Sequence, residues 1–119
     1  PLALLRERLS AQRFVSASQL QRAPDRQLAR AAGIVTCRQR PGTASGIVFV
    51  TLEDETGLAN IVVHSRLVER QRRELLGARL LGVLGQVQRE GEVVHLVAKR
   101  LVDLSSLLGR LPTASRDFH

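Results

Sequence analysis

Gly46-Ile-Val-Phe-Val-Thr-Leu-Glu-Asp-Glu-Thr-Gly57, followed at once by Leu58-Ala-Asn-Ile-Val-Val-His64, decides the fold of this chain. β-Branched and aliphatic residues run up to and away from an acidic turn closed by glycine, the pattern of a tight antiparallel hairpin. One strand is expected over 47–53, the turn at Asp54-Glu55-Thr56-Gly57 and the returning strand over 58–64. Side chains alternate between the two faces of a strand. Val48, Val50 and Leu52 therefore share one face, the natural core, and Ile47, Phe49 and Thr51 share the other. In the returning strand Ile61 and Val63 point inward and Asn60, Val62 and His64 outward. The opposite register would bury Phe49 and expose Val48 and Val50.

Working outward, residues 29–40 alternate as a preceding strand, with Val35 and Cys37 on the inner face and Thr36, Arg38 and Arg40 on the outer. Pro41-Gly-Thr-Ala-Ser-Gly46 is its exit loop. Beyond the hairpin, residues 66–76 read as a helix with Leu67, Val68, Leu75 and Leu76 apolar and Gly77 at its stop. Residues 79–88 and 93–98 read as the fourth and fifth strands, joined by the turn Arg89-Glu-Gly-Glu92. At the N-terminus, Leu2, Leu5 and Leu9 recur at helical spacing over 1–12, and a polar connection with Pro24 follows over 16–26. Residues 101–111 are apolar enough to pack back as a turn of helix, and 112–119 read as a mobile tail. The expected organisation is a helix and linker from a preceding domain over 1–27, a barrel over 28–104 and a tail over 105–119. The fold class is all-β with one short helix between the third and fourth strands. That is the five-stranded Greek-key barrel of the OB fold, here with a short N-terminal helix. An SH3-like barrel lacks a helix of that length at that place.

The chain has 119 residues, 18 Lys+Arg against 11 Asp+Glu, a formal charge of +7 and a pI near 11.5. This length suits one domain, and 44% hydrophobic residues exclude wholesale disorder. No apolar run approaches the ~20 residues that span a bilayer, and no signal peptide opens the chain. With no methionine anywhere, Pro1 reads as something other than a native start, and the chain as a piece of a longer protein. A single cysteine, Cys37, excludes an internal disulfide, and His64, His95 and His119 are spaced unlike metal ligands. A reducing, cytoplasmic setting fits. All the basic residues except Lys99 are arginine. Such an excess favours a polyanionic partner, nucleic acid ahead of an acidic membrane surface.

Catalytic chemistry finds little support. Glu53, Asp54 and Glu55 form the only acidic cluster, but they occupy a turn where Asp and Gly serve backbone geometry. There is no nucleophile elbow and no phosphate loop. Cys37, on the inner face, reads as a structural thiol. No catalytic residue, metal ligand or cofactor is expected in this chain. Binding is better supported, because an OB barrel offers the faces of its second and third strands between the loops joining strands 1–2 and 4–5. Phe49, the one aromatic of the expected barrel strands, is placed to stack on a base, worth about 1–3 kcal/mol. Thr51 and Val62 flank it, Asn60 is placed to read a base edge, and His64 to stack or meet phosphate. Arg38, Arg40 and Arg89 would rim the groove as phosphate contacts. Arg66, Arg70, Arg72 and Arg73 read as a solvated helix face. With 3% aromatic residues, the expected affinity is weak, mostly electrostatic and sequence-tolerant.

Gly46-Ile-Val-Phe-Val-Thr-Leu-Glu-Asp-Glu-Thr-Gly57 with Ala59-Asn-Ile-Val-Val63 resembles the OB domain near the C-terminus of bacterial C-family replicative polymerase α subunits. It is also similar to the anticodon-binding OB domains of class II aminoacyl-tRNA synthetases. Arg38-Gln-Arg-Pro-Gly-Thr-Ala44, Gln88-Arg-Glu-Gly91 with Val94-His95, Asp103-Leu-Ser105 and Ser115-Arg-Asp-Phe-His119 resemble the error-prone branch of the C-family polymerases. Pro1-Leu-Ala-Leu-Leu-Arg6 looks like the stretch leading into that branch's OB domain. The resemblance implies a non-catalytic module of a DNA-directed DNA polymerase active in damage-induced mutagenesis, whose palm domain would hold the catalytic aspartates and Mg²⁺. It implies that the aromatic at Phe49 stacks on a base. It also implies single-stranded template DNA and the rest of the polymerase chain as partners, with the sliding clamp and a Y-family-like accessory protein as further ones, and no membrane. Asp103-Leu-Ser-Ser-Leu-Leu108 lacks the glutamine and aromatic of a clamp-binding motif. Docking of a mutasome protein is the alternative role of the barrel face, and tRNA binding the third.

Overall fold

The computed structural model describes residues 2–40 and 45–110. In chain order its elements are a 3₁₀ turn (Leu2–Leu5), α1 (Arg6–Ala11), β1 (Phe14–Val15), α2 (Ala17–Gln21) and β2 (Leu28–Gln39). The hairpin strands β3 (Val48–Asp54) and β4 (Gly57–Val63) follow, then α3 (Ser65–Arg70) and α4 (Arg72–Gly77). The long strands β5 (Leu80–Glu90) and β6 (Val93–Asp103) and a 3₁₀ turn (Ser105–Arg110) complete the chain's described part.

The hairpin register is the one its alternation requires: Val50 lies opposite Ile61 and Leu52 opposite Ala59, and all four are buried. β2 runs antiparallel to β3 and to β5, β5 antiparallel to β6, and β4 parallel to β6. The order β2-β3-β4-β6-β5 closes on itself through the β2–β5 pairing, so the five strands form the expected OB barrel. Val48, Val50, Leu52, Ile61, Val63 and Leu96 fill it, joined by Leu67, Val68 and Leu75 from the helical crossover.

Four local expectations change. The helix expected over 66–76 is two, α3 and α4, parted at Gln71 (φ −122°, ψ 40°). Its side-chain amide donates to the Leu101 carbonyl (2.8 Å) and accepts from the Leu101 N–H (2.7 Å), acting as a short strand neighbour to β6. Gaining those two bonds offsets the break in the helix. The fifth strand runs on to Asp103, so 101–103 pair with β5 rather than turning into helix. The polar connection over 16–26 holds α2, capped by a capping box in which Ser16 Oγ accepts from Gln19 N–H and Gln19 Oε1 from Ser16 N–H. A sixth short strand, β1, adds in parallel to β2 at Arg30 and Ala31.

These additions build a second core. Leu5 and Leu9 from the N-terminal segment, Phe14 of β1, Ala32 of β2 and Leu80 of β5 are buried together, with Leu104, Leu107 and Leu108 packed alongside. The leucines of the 103–108 string are therefore partly buried against the protein's own core. A Cβ on Gly82 would come within 3.0 Å of the Phe14 ring, so this packing depends on glycine in β5. The expected mobile tail at 112–119 lies outside the described residues.

Candidate functional site

Phe49 keeps 38% of its surface exposed, whereas Val48, Val50 and Leu52 are buried. The aromatic therefore stands on the outer face, as the alternation requires. Register carries that face around the barrel: Phe49 lies opposite Val62, Val62 beside Val97 and Val97 opposite Gln86. In the neighbouring rung Thr51 lies opposite Asn60, Asn60 beside His95 and His95 opposite Gln88. Phe49, Thr51 and Asn60 are thus brought onto one surface, while Val62, expected to be exposed beside them, lies in the same rung as Phe49 but is buried. Gln86, Gln88, His95 and Val97 share it and were not foreseen. Their signal was available in the alternation of His95 and Val97 with buried Val94, Leu96 and Ala98.

A depression of about 550 Å³ continues this surface, floored by Val62, Val97, Gln86 and Gln88. Arg26, Arg89, Asp25 and Glu90 also line it, so its formal charges cancel. His64 belongs to the same lining but not to a strand: β4 ends at Val63, and His64 is the exposed N-cap residue of α3. Its carbonyl accepts from Leu67 N–H and Val68 N–H at 3.0 Å each.

The arginines expected at the rim are placed differently. The β2–β3 register shifts between Val35 and Cys37, an extra residue that flips the strand phase. Cys37, expected inward, lies opposite Thr51 on the outer side, and Arg38, expected outward, lies opposite buried Val50. Arg38 Nε donates to the Leu75 carbonyl (2.7 Å) and Nη2 to the Ala78 carbonyl (2.6 Å), capping the end of α4. Arg89 Nη2 donates to the carbonyls of Gln21 and Ala23 (2.9 Å to the latter), which does the same for α2. Its backbone N–H donates to Asp25 Oδ1 at 2.8 Å. Arg40 is exposed past the end of β2, and the adjoining residues 41–44 lie outside the described part. Arg66, Arg70, Arg72 and Arg73 are exposed on α3 and α4.

The acidic turn is occupied by structural work. Asp54 Oδ1 accepts from Thr56 N–H and Oγ1–H (2.7 Å each), and Oδ2 from Ala17 N–H (2.7 Å) and Arg6 Nη2 (3.3 Å). Arg6 also clamps Glu55 through Nε (2.7 Å) and Nη2 (3.0 Å). This hydrogen bonding holds the Glu55 carboxyl below its ordinary range and raises the guanidinium further. Among the described residues no group of three or more His, Cys, Asp and Glu side chains is arranged to hold a metal ion. No helix among them is long and apolar enough to cross a membrane.

A family model described as an OB-fold nucleic acid binding domain (tRNA_anti-codon) matches residues 29–104. An error-prone DNA polymerase of Azoarcus sp. (strain BH72) is 72% identical across the whole chain, and one of Dechloromonas aromatica (strain RCB) 71%. The chain spans only 11% and 12% of those relatives' length. Among solved structures, an asparaginyl-tRNA synthetase from Pyrococcus horikoshii superimposes with a TM-score of 0.63 at 22% identity, over 76% of this chain and 23% of that one. The structure described as OBody AM1L10 bound to hen egg-white lysozyme superimposes with a TM-score of 0.61 at 12% identity, over 77% and 93%. At such identities these two share the fold.

Proposed function

The chain belongs to the OB-fold nucleic acid binding domain family, and from that membership we propose that it is the module with which an error-prone DNA polymerase holds single-stranded template DNA. The observation that carries this reading is the outward Phe49, seated beside Val62 and Val97 on the barrel's open face. A base stacks on the ring, Asn60, Gln86, Gln88 and His95 offer hydrogen bonds to base edges, and Arg26 and His64 approach the backbone at the end of the groove. The catalytic steps belong to other parts of the parent chain, and the module works in the cytoplasm during damage-induced synthesis. The identity to error-prone polymerases over the full length of the chain supports that setting.

Fluorescence anisotropy of a labelled dT oligonucleotide tests it. Phe49→Ala is expected to weaken binding by about 1–3 kcal/mol, roughly 5- to 150-fold, while leaving the melting temperature nearly unchanged because the ring is not in the core. A folded wild-type chain that ignores the oligonucleotide at low salt would overturn the reading. The cancelled charges of the groove favour a second one, docking of a protein partner on the same face. Binding of that kind would be nearly insensitive to salt, whereas phosphate contacts weaken with it.

A further inference from the structure

The chain's positive charge is concentrated away from the groove. A second depression, of about 510 Å³, lies farther around the barrel on the β1–β2–β5–β6 side. Val15, Leu28, Ala29 and Leu84 give it an apolar floor. Arg13, Arg30, Lys99 and Arg100 surround it, all exposed, and no carboxylate lines it. The groove holds two arginines against two acids; this site holds four cations against none.

The two depressions are parts of one surface. The rung that begins Phe49–Val62–Val97–Gln86 continues to Leu28, which lies opposite Gln86 and is 69% exposed. In the next rung Arg30 lies opposite Leu84 and Leu84 opposite Arg100. Neighbouring strands are spaced by about 4.8 Å, so the four steps that lead from β3 over β4, β6 and β5 to the start of β2 trace an arc of about 19 Å around the closed barrel. That path suits the roughly 4–16 nucleotides an OB fold accommodates. Backbone conformation marks the same places. Among the described residues the two non-glycines at positive φ are Arg13 (69°) and Arg26 (72°), and each lines one of the depressions. Glycine suits that conformation better than any residue with a side chain, so each arginine trades backbone ease for a cation at the surface.

We propose that the second depression is a phosphate-binding extension of the groove, so that a single strand crossing Phe49 continues over Leu28 onto Arg13, Arg30, Lys99 and Arg100. This inference rests on the groove reading above. It supplies the electrostatic anchor that the groove lacks, since Arg38 and Arg89 each give two hydrogen bonds to the protein's own carbonyls, whereas in the second depression Arg30 gives one, from Nη1 to the Gln12 carbonyl at 3.3 Å. An acidic protein segment would satisfy the charge alone, but not the continuity with the aromatic face.

The test compares two dT probes on the 119-residue chain. One is of about 3 nucleotides, about 10 Å at about 3.4 Å per stacked nucleotide and so confined to the groove, and one of about 15 covers the whole path. The longer probe is expected to bind the wild type more tightly. In Lys99→Gln/Arg100→Gln the short probe is unaffected, while the long probe loses roughly 25-fold at about 0.1 M salt and its salt slope falls by about 1.4, at about 0.7 per phosphate. Arg13→Gly removes a charge and relieves the left-handed backbone, so it is expected to cost the long probe about fivefold without lowering the melting temperature. A long-probe advantage that survives in both variants overturns the extension and leaves the groove standing. A short probe that does not bind, with Phe49→Ala silent on the long one, overturns the groove and the continuous path together. Polyglutamate binding that is lost in Lys99→Gln/Arg100→Gln, with no long-probe advantage in the wild type, assigns the site to an acidic protein and overturns the proposal.

Discussion

Asp54 shows how far one residue's role can exceed what its neighbours in sequence suggest. Its place in an Asp-x-x-Gly turn is legible from the sequence, and Oδ1 does what that pattern predicts by accepting from Thr56 and Gly57 N–H. Oδ2 binds Ala17 and Arg6, whose positions 37 and 48 residues away no local pattern announces. Asp54→Ala strands these donors, and a loss of about 3 kcal/mol is expected in urea denaturation. Glu55 adds a pH dependence. Because Arg6 lowers its carboxyl in the folded state, its stabilisation is full above the unfolded value, about pH 4.3, and disappears as pH falls through the lower folded value. The difference in melting temperature between wild type and Arg6→Gln should therefore shrink on acidification from about pH 6 to about pH 3; a constant difference would show that the pair contributes no linkage. Phe49, by contrast, needed only alternation to place, because Val48, Val50 and Leu52 leave one apolar face for the core.

At the scale of elements, the structure departs from the simplest pattern where a side chain replaces a backbone partner. Gln71 breaks the crossover helix and pairs with Leu101 in β6. Gln71→Ala leaves the Leu101 N–H and carbonyl without it, and a cost of about 2 kcal/mol is expected by thermal denaturation; an unchanged melting temperature would assign the helix break to another cause. Ser16→Ala should cost about 0.5–2 kcal/mol through the lost cap of α2, measurable as a shift of the urea midpoint. The Ser16-x-x-Gln19 spacing is itself a sequence signature of such a cap. The β2 bulge has no such signature, since an inserted residue leaves the alternation on each side intact and changes only its phase. That single shift moved Cys37 outward and sent Arg38 to the end of α4.

Across the whole molecule, the N-terminal segment and the turn after β6 complete the barrel's outer packing. Leu5, Leu9 and Phe14 cover Ala32 and Leu80, so removing residues 1–15 is expected to lower the melting temperature and raise binding of a hydrophobic dye; a truncated chain as stable as the full one would show the second core to be dispensable. β5 and β6 likewise meet closely at their register shift, where a Cβ on Gly85 would collide with the Val97 carbonyl. What the sequence determined by itself was the set of barrel strands, the crossover between the third and fourth, the inner and outer faces of the hairpin and the excess of positive charge. Those follow from periodicity and composition, which act over a few residues or over the chain as a sum. Only the tertiary structure decided which cations face which surface, because that depends on the phase of each strand after a bulge, on barrel closure between β2 and β5, and on carbonyls at helix ends that claim Arg38 and Arg89. Charge could be counted along the chain, but its placement required the register of strands distant in sequence.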